Sequence, residues 1–274
     1  MDADWIKQEN RAAWDREAAA GNPWSIPVGD DVIAAARSGE WSVVLTYAKP
    51  VPRAWFANPA APDPAAGLKG TRVLCLASGG GQQAPVLAAA GATVTSFDAS
   101  AEQLARDAER SLSHDLGIRT VQGYMDDLGA FDDASFDLCF HPVSNTFAPE
   151  LEPVWHEIAR VLRPGGVLLA GFMNPDLYLF DVATEEAATS PSEFRVAHRL
   201  PYSDTSGRTR DEVEAYLAKD GPVQHSHSLV GQLGGQLSAG LVLTDLYDDT
   251  EPGRLIGEFL PMCFSSRAVR RPGE

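Results

Sequence analysis

The chain has 274 residues, enough for one large domain or for one domain carrying a cap. A hydrophobic content of 44% supplies a full globular core. The formal charge of −16 argues against broad contact with nucleic acid or an anionic membrane, both of which need basic surface.

Ile6 and Trp14 on one face, with Lys7, Glu9, Arg11, Asp15 and Arg16 around much of the rest, predict a helix over 5–20. Gly21-Asn22-Pro23 ends it. Asp30-Asp31 starts a second short helix through Arg37, stopped by Ser38-Gly39. An apolar segment over 41–47, the stiff Lys49-Pro50-Val51-Pro52 and a proline- and alanine-rich loop over 58–66 follow. Residues 1–66 are therefore expected to form an N-terminal helical extension against a core of 67–274. Trp5, Trp14, Trp24 and Trp41 are expected mainly to pack, while Trp24 and Trp55, beside prolines and loops, are the better candidates for a pocket wall. The start is acidic and lacks a signal-peptide core, and no apolar run reaches membrane-spanning length, so the expected location is the cytoplasm. Cys75, Cys139 and Cys263 lie far apart in apolar stretches, without CxxC or zinc-ligand spacing, and read as buried core residues.

The chain is organised around Arg72-Val73-Leu74-Cys75-Leu76-Ala77-Ser78-Gly79-Gly80-Gly81, an apolar strand that breaks into three glycines. A helical stretch over 84–90 and a second strand over 92–97, ending on Asp98, complete a βαβ unit for an adenosine-containing cofactor. Glycines let backbone approach a ligand where a Cβ would collide, and the next helix offers N–H groups. A carboxylate nineteen residues after Gly79 suits ribose hydroxyls. Because Gly79-x-Gly81-x-x-Ala84 also fits the dinucleotide fingerprint, nicotinamide and S-adenosylmethionine both stand open at this point.

Ser100 N-caps a helix to about Leu112. Strands are expected at 119–122 and 135–140, the latter followed at once by His141-Pro142-Val143-Ser144-Asn145. A helix over 151–162, a turn at Arg163-Pro164-Gly165-Gly166 and a fifth strand over 167–172 continue the alternation of a parallel sheet covered on both faces. The rhythm then fails over 173–227, a polar, proline-punctuated insertion at the carboxyl edge of the sheet that reads as a lid or acceptor pocket. A helix over 229–238 and strands over 241–247 and 258–265 close the chain.

With these residues the chain resembles the class I S-adenosylmethionine-dependent methyltransferases over about 68–265. The marks are the glycine turn, Phe97-Asp98-Ala99-Ser100, Ser135-Phe136-Asp137 and Arg160-Val161-Leu162-Arg163-Pro164-Gly165-Gly166, the last counting against a dehydrogenase. Asn10-Arg11-Ala12-Ala13-Trp14-Asp15 and Trp24-Ser25-Ile26-Pro27-Val28 resemble a bacterial subgroup. The resemblance implies a Rossmann-like, seven-stranded, mostly parallel sheet, with S-adenosyl-L-methionine as methyl donor and S-adenosyl-L-homocysteine as product. It implies Ala77, Ser78, Gly79 and Gly81 around the methionine part, Asp98 on the ribose, and Ala99, Gln103, Met125 and Asp126 near ribose or adenine. His141, Pro142 and Val143 would line the gap between methyl and acceptor, shaped by Asn145. Two departures stand out: Cys75 and Tyr124 occupy positions where many members carry an acid, and Asp126 or Asp127 could substitute for the second.

A sulfonium-bound methyl is already activated, so alignment of nucleophile, methyl and sulfur supplies most of the catalysis. A base is needed only for acceptors that must lose a proton, and of His141, His198, His225 and His227 the first has the best address. His225-Ser226-His227 puts two imidazoles on one side without a third ligand, so no metal is expected. Tyr178 and Tyr202 read equally as acceptor contacts or lid packing. The expected partner is a small-molecule acceptor, with no nucleic acid or membrane; the rival readings are RNA or protein methylation and a nicotinamide-dependent oxidoreductase.

Overall fold

In the computed structural model, which describes residues 1–57 and 67–271, Val73, Leu74, Cys75 and Leu76 are all fully buried. A strand apolar on both faces belongs at the centre of a covered sheet. The elements in order are α1 (Ala3–Ala20), α2 (Asp30–Arg37), β1 (Arg72–Leu76), α3 (Gln83–Ala89), β2 (Thr93–Asp98), α4 (Ala101–His114), β3 (Arg119–Gln122) and β4 (Phe136–His141). They continue as α5 (Glu152–Val161), β5 (Leu162–Met173), α6 (Val182–Ala187), α7 (Arg210–Lys219), α8 (Gly235–Ser238), β6 (Leu241–Asp249) and β7 (Cys263–Arg270). The seven strands run in the order β3-β2-β1-β4-β5-β7-β6. The first five are parallel, and β7 is antiparallel to both neighbours. The order reverses between β1 and β4, which opens a crevice at their carboxyl ends. The proline- and alanine-rich loop expected over 58–66 lies outside the described residues.

One core packs Cys75, Leu87 and Phe140 with Trp41, Leu45 and Trp55 of the N-terminal region. The other packs Leu74, Leu76 and Cys139 against Trp155 and Ile158 of α5. A third, smaller cluster joins Ile6 and Ala13 of α1 to Val213 and Leu217 of α7 and to Val223. The N-terminal helix is thus sealed to the insertion as well as to the core, each buried aliphatic side chain contributing about 1.5–3 kcal/mol. Asn10, 4% exposed, bolts this junction. Its Nδ2 donates to the carbonyls of Phe147 (3.1 Å) and Val223 (3.0 Å), and its Oδ1 accepts the Val223 N–H at 2.9 Å. Asp2 caps the start of α1, and Gly21, at φ +80°, ends it.

The C-terminal strand corrects its expected position. Residues 255–258 form a 3₁₀ turn, and β7 runs Cys263–Arg270 instead of ending near 265. Ser265 and Ser266 are fully buried and Arg267 is 9% exposed, because β7 lies between β5 and β6. That inversion of polarity hides the strand from a hydrophobic pattern. Arg163-Pro164-Gly165-Gly166 likewise lies within β5, with Gly165 at φ +76°. The helix expected over 229–238 is a π turn, Val230–Gly234, running into α8. Among the described residues no helix is long and apolar enough to cross a membrane.

Candidate active site

The glycine turn after β1 has an unusual backbone: Ala77, Gly80 and Gly81 have φ of +47°, +106° and +77°. Such a path persists only where its surroundings hold it. Here four N–H groups are each engaged. Ala77 donates to the Phe97 carbonyl (2.7 Å) and Gly80 to the Gln103 carbonyl (3.0 Å). Gly79 donates to Asp98 Oδ2 (3.1 Å) and Gly81 to Asp107 Oδ1 (2.9 Å). The end of β2 and the helix α4 therefore mould the turn.

The glycines do less for a ligand than their spacing suggests. A Cβ on Gly80 would stand 2.5 Å from the Trp24 carbonyl oxygen, one on Gly81 2.7 Å from Pro27 Cβ, and one on Gly79 2.6 Å from Gln103 Cβ. Their missing side chains make room for α4 and for the strap 22–28. Gln82 Nε2 reinforces the strap by donating to the carbonyls of Pro23 (2.9 Å) and Ile26 (3.1 Å).

A cavity of about 440 Å³ opens above the turn, at the β1/β4 switch point. Ala77, Ser78, Gly79, Asp98, Ala99, Gln103, Met125, Asp126 and Pro142 all line it, together with Val143. Gly81 does not, being covered by Pro27. Asp98 sits with one oxygen on the Gly79 N–H and the other on the Ser100 N–H (2.9 Å). Burial pushes its carboxyl up to about 6, against the pull of those N–H groups.

His141 departs furthest from expectation. Its ring is fully buried and off the cavity wall, with Nδ1 3.0 Å from the Leu76 carbonyl and Nε2 2.7 Å from Asn145 Oδ1. Asn145 passes the chain on, its Nδ2 donating to Gln232 Oε1 at 2.9 Å. Burial lowers the imidazole pKa and keeps it neutral. With both nitrogens turned to buried neighbours and the ring off the cavity wall, His141 supports the β4 end and presents no base to an acceptor. The cavity wall carries no histidine among the described residues.

Apart from Trp24, expected as a pocket wall, the roof comes from residues that sequence spacing did not single out. Lys7 and Trp14 of α1 line the cavity, Lys7 paired with Asp126 at 3.0 Å and Trp14 edge-on to Phe147 at 5.1 Å. Trp24 also lines it, 6.1 Å from Tyr47. Trp55 does not: it is buried against Tyr247. Pro222 and Gln224 close the far side. Behind them the Tyr178 hydroxyl bridges Thr146 Oγ1 and Gln224 Oε1, and Tyr202 stacks on its ring, so both tyrosines pack rather than face the cavity. Asp127 accepts the Gly129 N–H (3.0 Å) and is off the wall, so of these two acids Asp126 is the one that lines the cavity. His225 and His227 stand 6.3 Å apart on Ser203 Oγ and the Ala148 carbonyl.

Three buried polar atoms on cavity-lining residues have no hydrogen-bond partner among the described residues: Ser78 Oγ, Gln103 Oε1 and Tyr124 Oη. Buried polar groups normally have partners. A donor, an acceptor and a phenol left open around Asp98 fit a polar nucleoside bearing a charged amino-acid tail, as S-adenosylmethionine is.

Comparison with known proteins agrees. Residues 74–170 match the methyltransferase domain family. The chain belongs to the class I S-adenosylmethionine-dependent methyltransferases, with S-adenosylmethionine as donor and S-adenosylhomocysteine as product. Over 261 residues it is 40% identical to the uncharacterized methyltransferase YbaJ of Bacillus subtilis (strain 168), spanning 95% of this chain and 97% of that relative. The ubiquinone biosynthesis O-methyltransferase of Alkalilimnicola ehrlichii is 30% identical over 124 residues, 44% of this chain and 49% of its own. In fold, the chain is similar to the crystal structure of an S-adenosylmethionine-dependent methyltransferase from Mesorhizobium loti. The two share 21% identity, with a TM-score of 0.59 covering 74% of this chain and 93% of that one.

Proposed function

We propose that the enzyme methylates a small molecule held between the loop after β4 and the cover formed by residues 1–57 and 173–227. The observation that carries this reading is the roof: Asn10 ties α1 to both the post-β4 loop and the insertion over a cavity of about 440 Å³. That volume suits a cofactor and a compact acceptor, and the net charge of −16 disfavours a polyanionic one. The O-methyltransferase relative, named for ubiquinone biosynthesis, supports the same substrate class.

In this reading Asp98 accepts the ribose hydroxyls, and Ser78 and Gly79 face the methionine part. Met125, Asp126 and Tyr124 border the adenine. Pro142, Val143 and Ser144 form one wall of the acceptor gap, with Tyr47, Met173 and Gln224 opposite. When bound, S-adenosylmethionine supplies a methyl group already activated on sulfur. The chain's own work is then to align the acceptor and exclude water, effects on the order of several kcal/mol. Acceptors that ionise near neutrality, such as thiols and carboxylates, need no base on this wall. A hydroxyl acceptor would have to use one of the lining acids, since among the described residues no histidine lines the cavity.

Incubating the enzyme with methyl-labelled S-adenosylmethionine and metabolite extracts tests the proposal, with products identified by mass spectrometry. Label should enter a compound below roughly 1 kDa, the size that such a pocket admits. Label confined to RNA or protein would overturn it.

A further inference from the structure

Asp107, on α4, lies behind the glycine turn and away from the cavity. Its carboxylate is fully buried. One oxygen accepts the Gly81 N–H at 2.9 Å and the other the Ser96 hydroxyl at 2.6 Å. Among the described residues no lysine or arginine pairs with it. A buried carboxylate without a cation costs stability, and an amide of the same shape would cost less. A fold that retains such a group has another use for it.

The hydrogen bonds of the turn indicate which. Of the four engaged N–H groups, those of Ala77 and Gly80 end on main-chain carbonyls fixed by β2 and α4. That of Gly79 ends on Asp98, which lines the cavity and is itself a ligand group in our reading. Only the Gly81 N–H ends on a side chain that no bound molecule can reach. We propose that Asp107 is a positioning residue for cofactor binding: its carboxylate holds the Gly81 N–H and so sets the arc from which Ser78 and Gly79 face the cavity. An ionised acceptor suits the task, because its bond to an N–H is roughly twice as strong as a neutral one.

The titratable groups that face Asp107 are Cys75 from β1 and Asp98 from β2. Burial pushes the Asp107 carboxyl up to about 7, and the donors Ser96 and Gly81 pull it back. The residue therefore stands near the point of losing its charge under ordinary conditions, and the Ser96 hydroxyl guards that charge.

The proposal rests on the family's use of S-adenosylmethionine but not on the nature of the acceptor. The test measures S-adenosylhomocysteine binding by calorimetry, with melting curves alongside. Asp107→Asn should bind at least fivefold more weakly at pH 8 while melting no lower than the wild type, because an unpaired buried charge has been removed. A dissociation constant within fivefold of the wild type overturns the proposal, whatever the melting temperature. Should Asp107→Asn fail to fold, Ser96→Ala decides. Loss of its hydroxyl favours the protonated acid, so binding should weaken threefold or more at pH 7 and recover at pH 9. Wild-type affinity at both values overturns the assignment. A wild-type protein that ignores S-adenosylhomocysteine would overturn the cofactor reading and this inference with it, whereas failure in the variants alone strikes only Asp107.

Discussion

Pro27 lies directly against Gly81, so that a Cβ on the glycine would stand 2.7 Å from the Pro27 Cβ. Beside that contact the Val28 N–H donates to the Gly81 carbonyl at 2.9 Å, and the Gly81 N–H goes to Asp107. One residue thus joins the N-terminal strap, the glycine turn and α4. The position demands glycine twice, once for a φ of +77° and once for the strap. Gly81→Ala should cost about 1–3 kcal/mol from backbone conformation alone, and more from displacement of the strap. Chemical denaturation measures the loss, and hydrogen exchange at Val28 should speed up. Unchanged exchange at Val28 would show that the strap is held elsewhere.

The βαβ unit was legible in the sequence because its signals are local: apolar runs, glycines and Asp98 fall within thirty residues of one another. The cover was not. Asn10 meets Val223 across 213 positions, and nothing in the spacing of either residue announces the other. Gly81 read as a ligand contact because its motif says nothing of Pro27, whose packing takes the space. His141 followed a strand at the right edge of the sheet, which made it a candidate base. Residue type cannot reveal that its two nitrogens are taken by Leu76 and Asn145. Ser265, Ser266 and Arg267 misled for the opposite reason, being polar residues buried by strands on both sides.

Lys7 fastens the roof beside the Tyr124–Asp126 wall, bonding Asp126 at 3.0 Å and Asp4 at 2.8 Å. Pairs this close to solvent contribute little to global stability, typically up to about 1 kcal/mol. Lys7→Ala should therefore leave the denaturation midpoint nearly unchanged. Its effect belongs to binding: with α1 released from Asp126, affinity for S-adenosylhomocysteine should fall several-fold. That loss should come mainly from faster release, which stopped-flow displacement would resolve. Identical release rates would mean that the helix does not close the cavity.

His141→Ala separates support from catalysis. Leaving the Leu76 carbonyl and Asn145 amide unpaired in the core should cost about 1–3 kcal/mol, with a cavity penalty added. S-adenosylhomocysteine affinity of the folded fraction should persist, since the ring does not touch the cavity. The pH dependence has a definite sign. Burial lowers the folded-state pKa below the unfolded value of 6.5, so the native ring's contribution is complete above that value and is lost as the pH falls through it. The variant's deficit should accordingly shrink on acidification below about 6.5. A deficit that grows instead would mean that the imidazole is charged in the native state.

Asp98 should set two opposite trends. Its carboxyl titrates near 6 in the fold because burial penalises the charge, against 3.8 for an ordinary aspartate. Between those values the native state binds more protons than the unfolded chain, so this group's contribution to stability declines as pH rises from about 4 to about 6 and is flat above. Binding needs the ionised carboxylate to accept ribose hydroxyls, so affinity for S-adenosylhomocysteine should rise over the upper part of the same window. Asp98→Asn should remove this group's share of both slopes and leave the share of Asp107, whose carboxyl burial pushes up to about 7. At pH 8 it should bind roughly 10- to 150-fold more weakly, the range for hydrogen bonds to a charged group. Calorimetry from pH 5 to 8 with parallel melts reads both quantities on one protein. A wild-type affinity that stays level across that range, together with an Asp98→Asn variant that binds equally well, would remove Asp98 from the cofactor site.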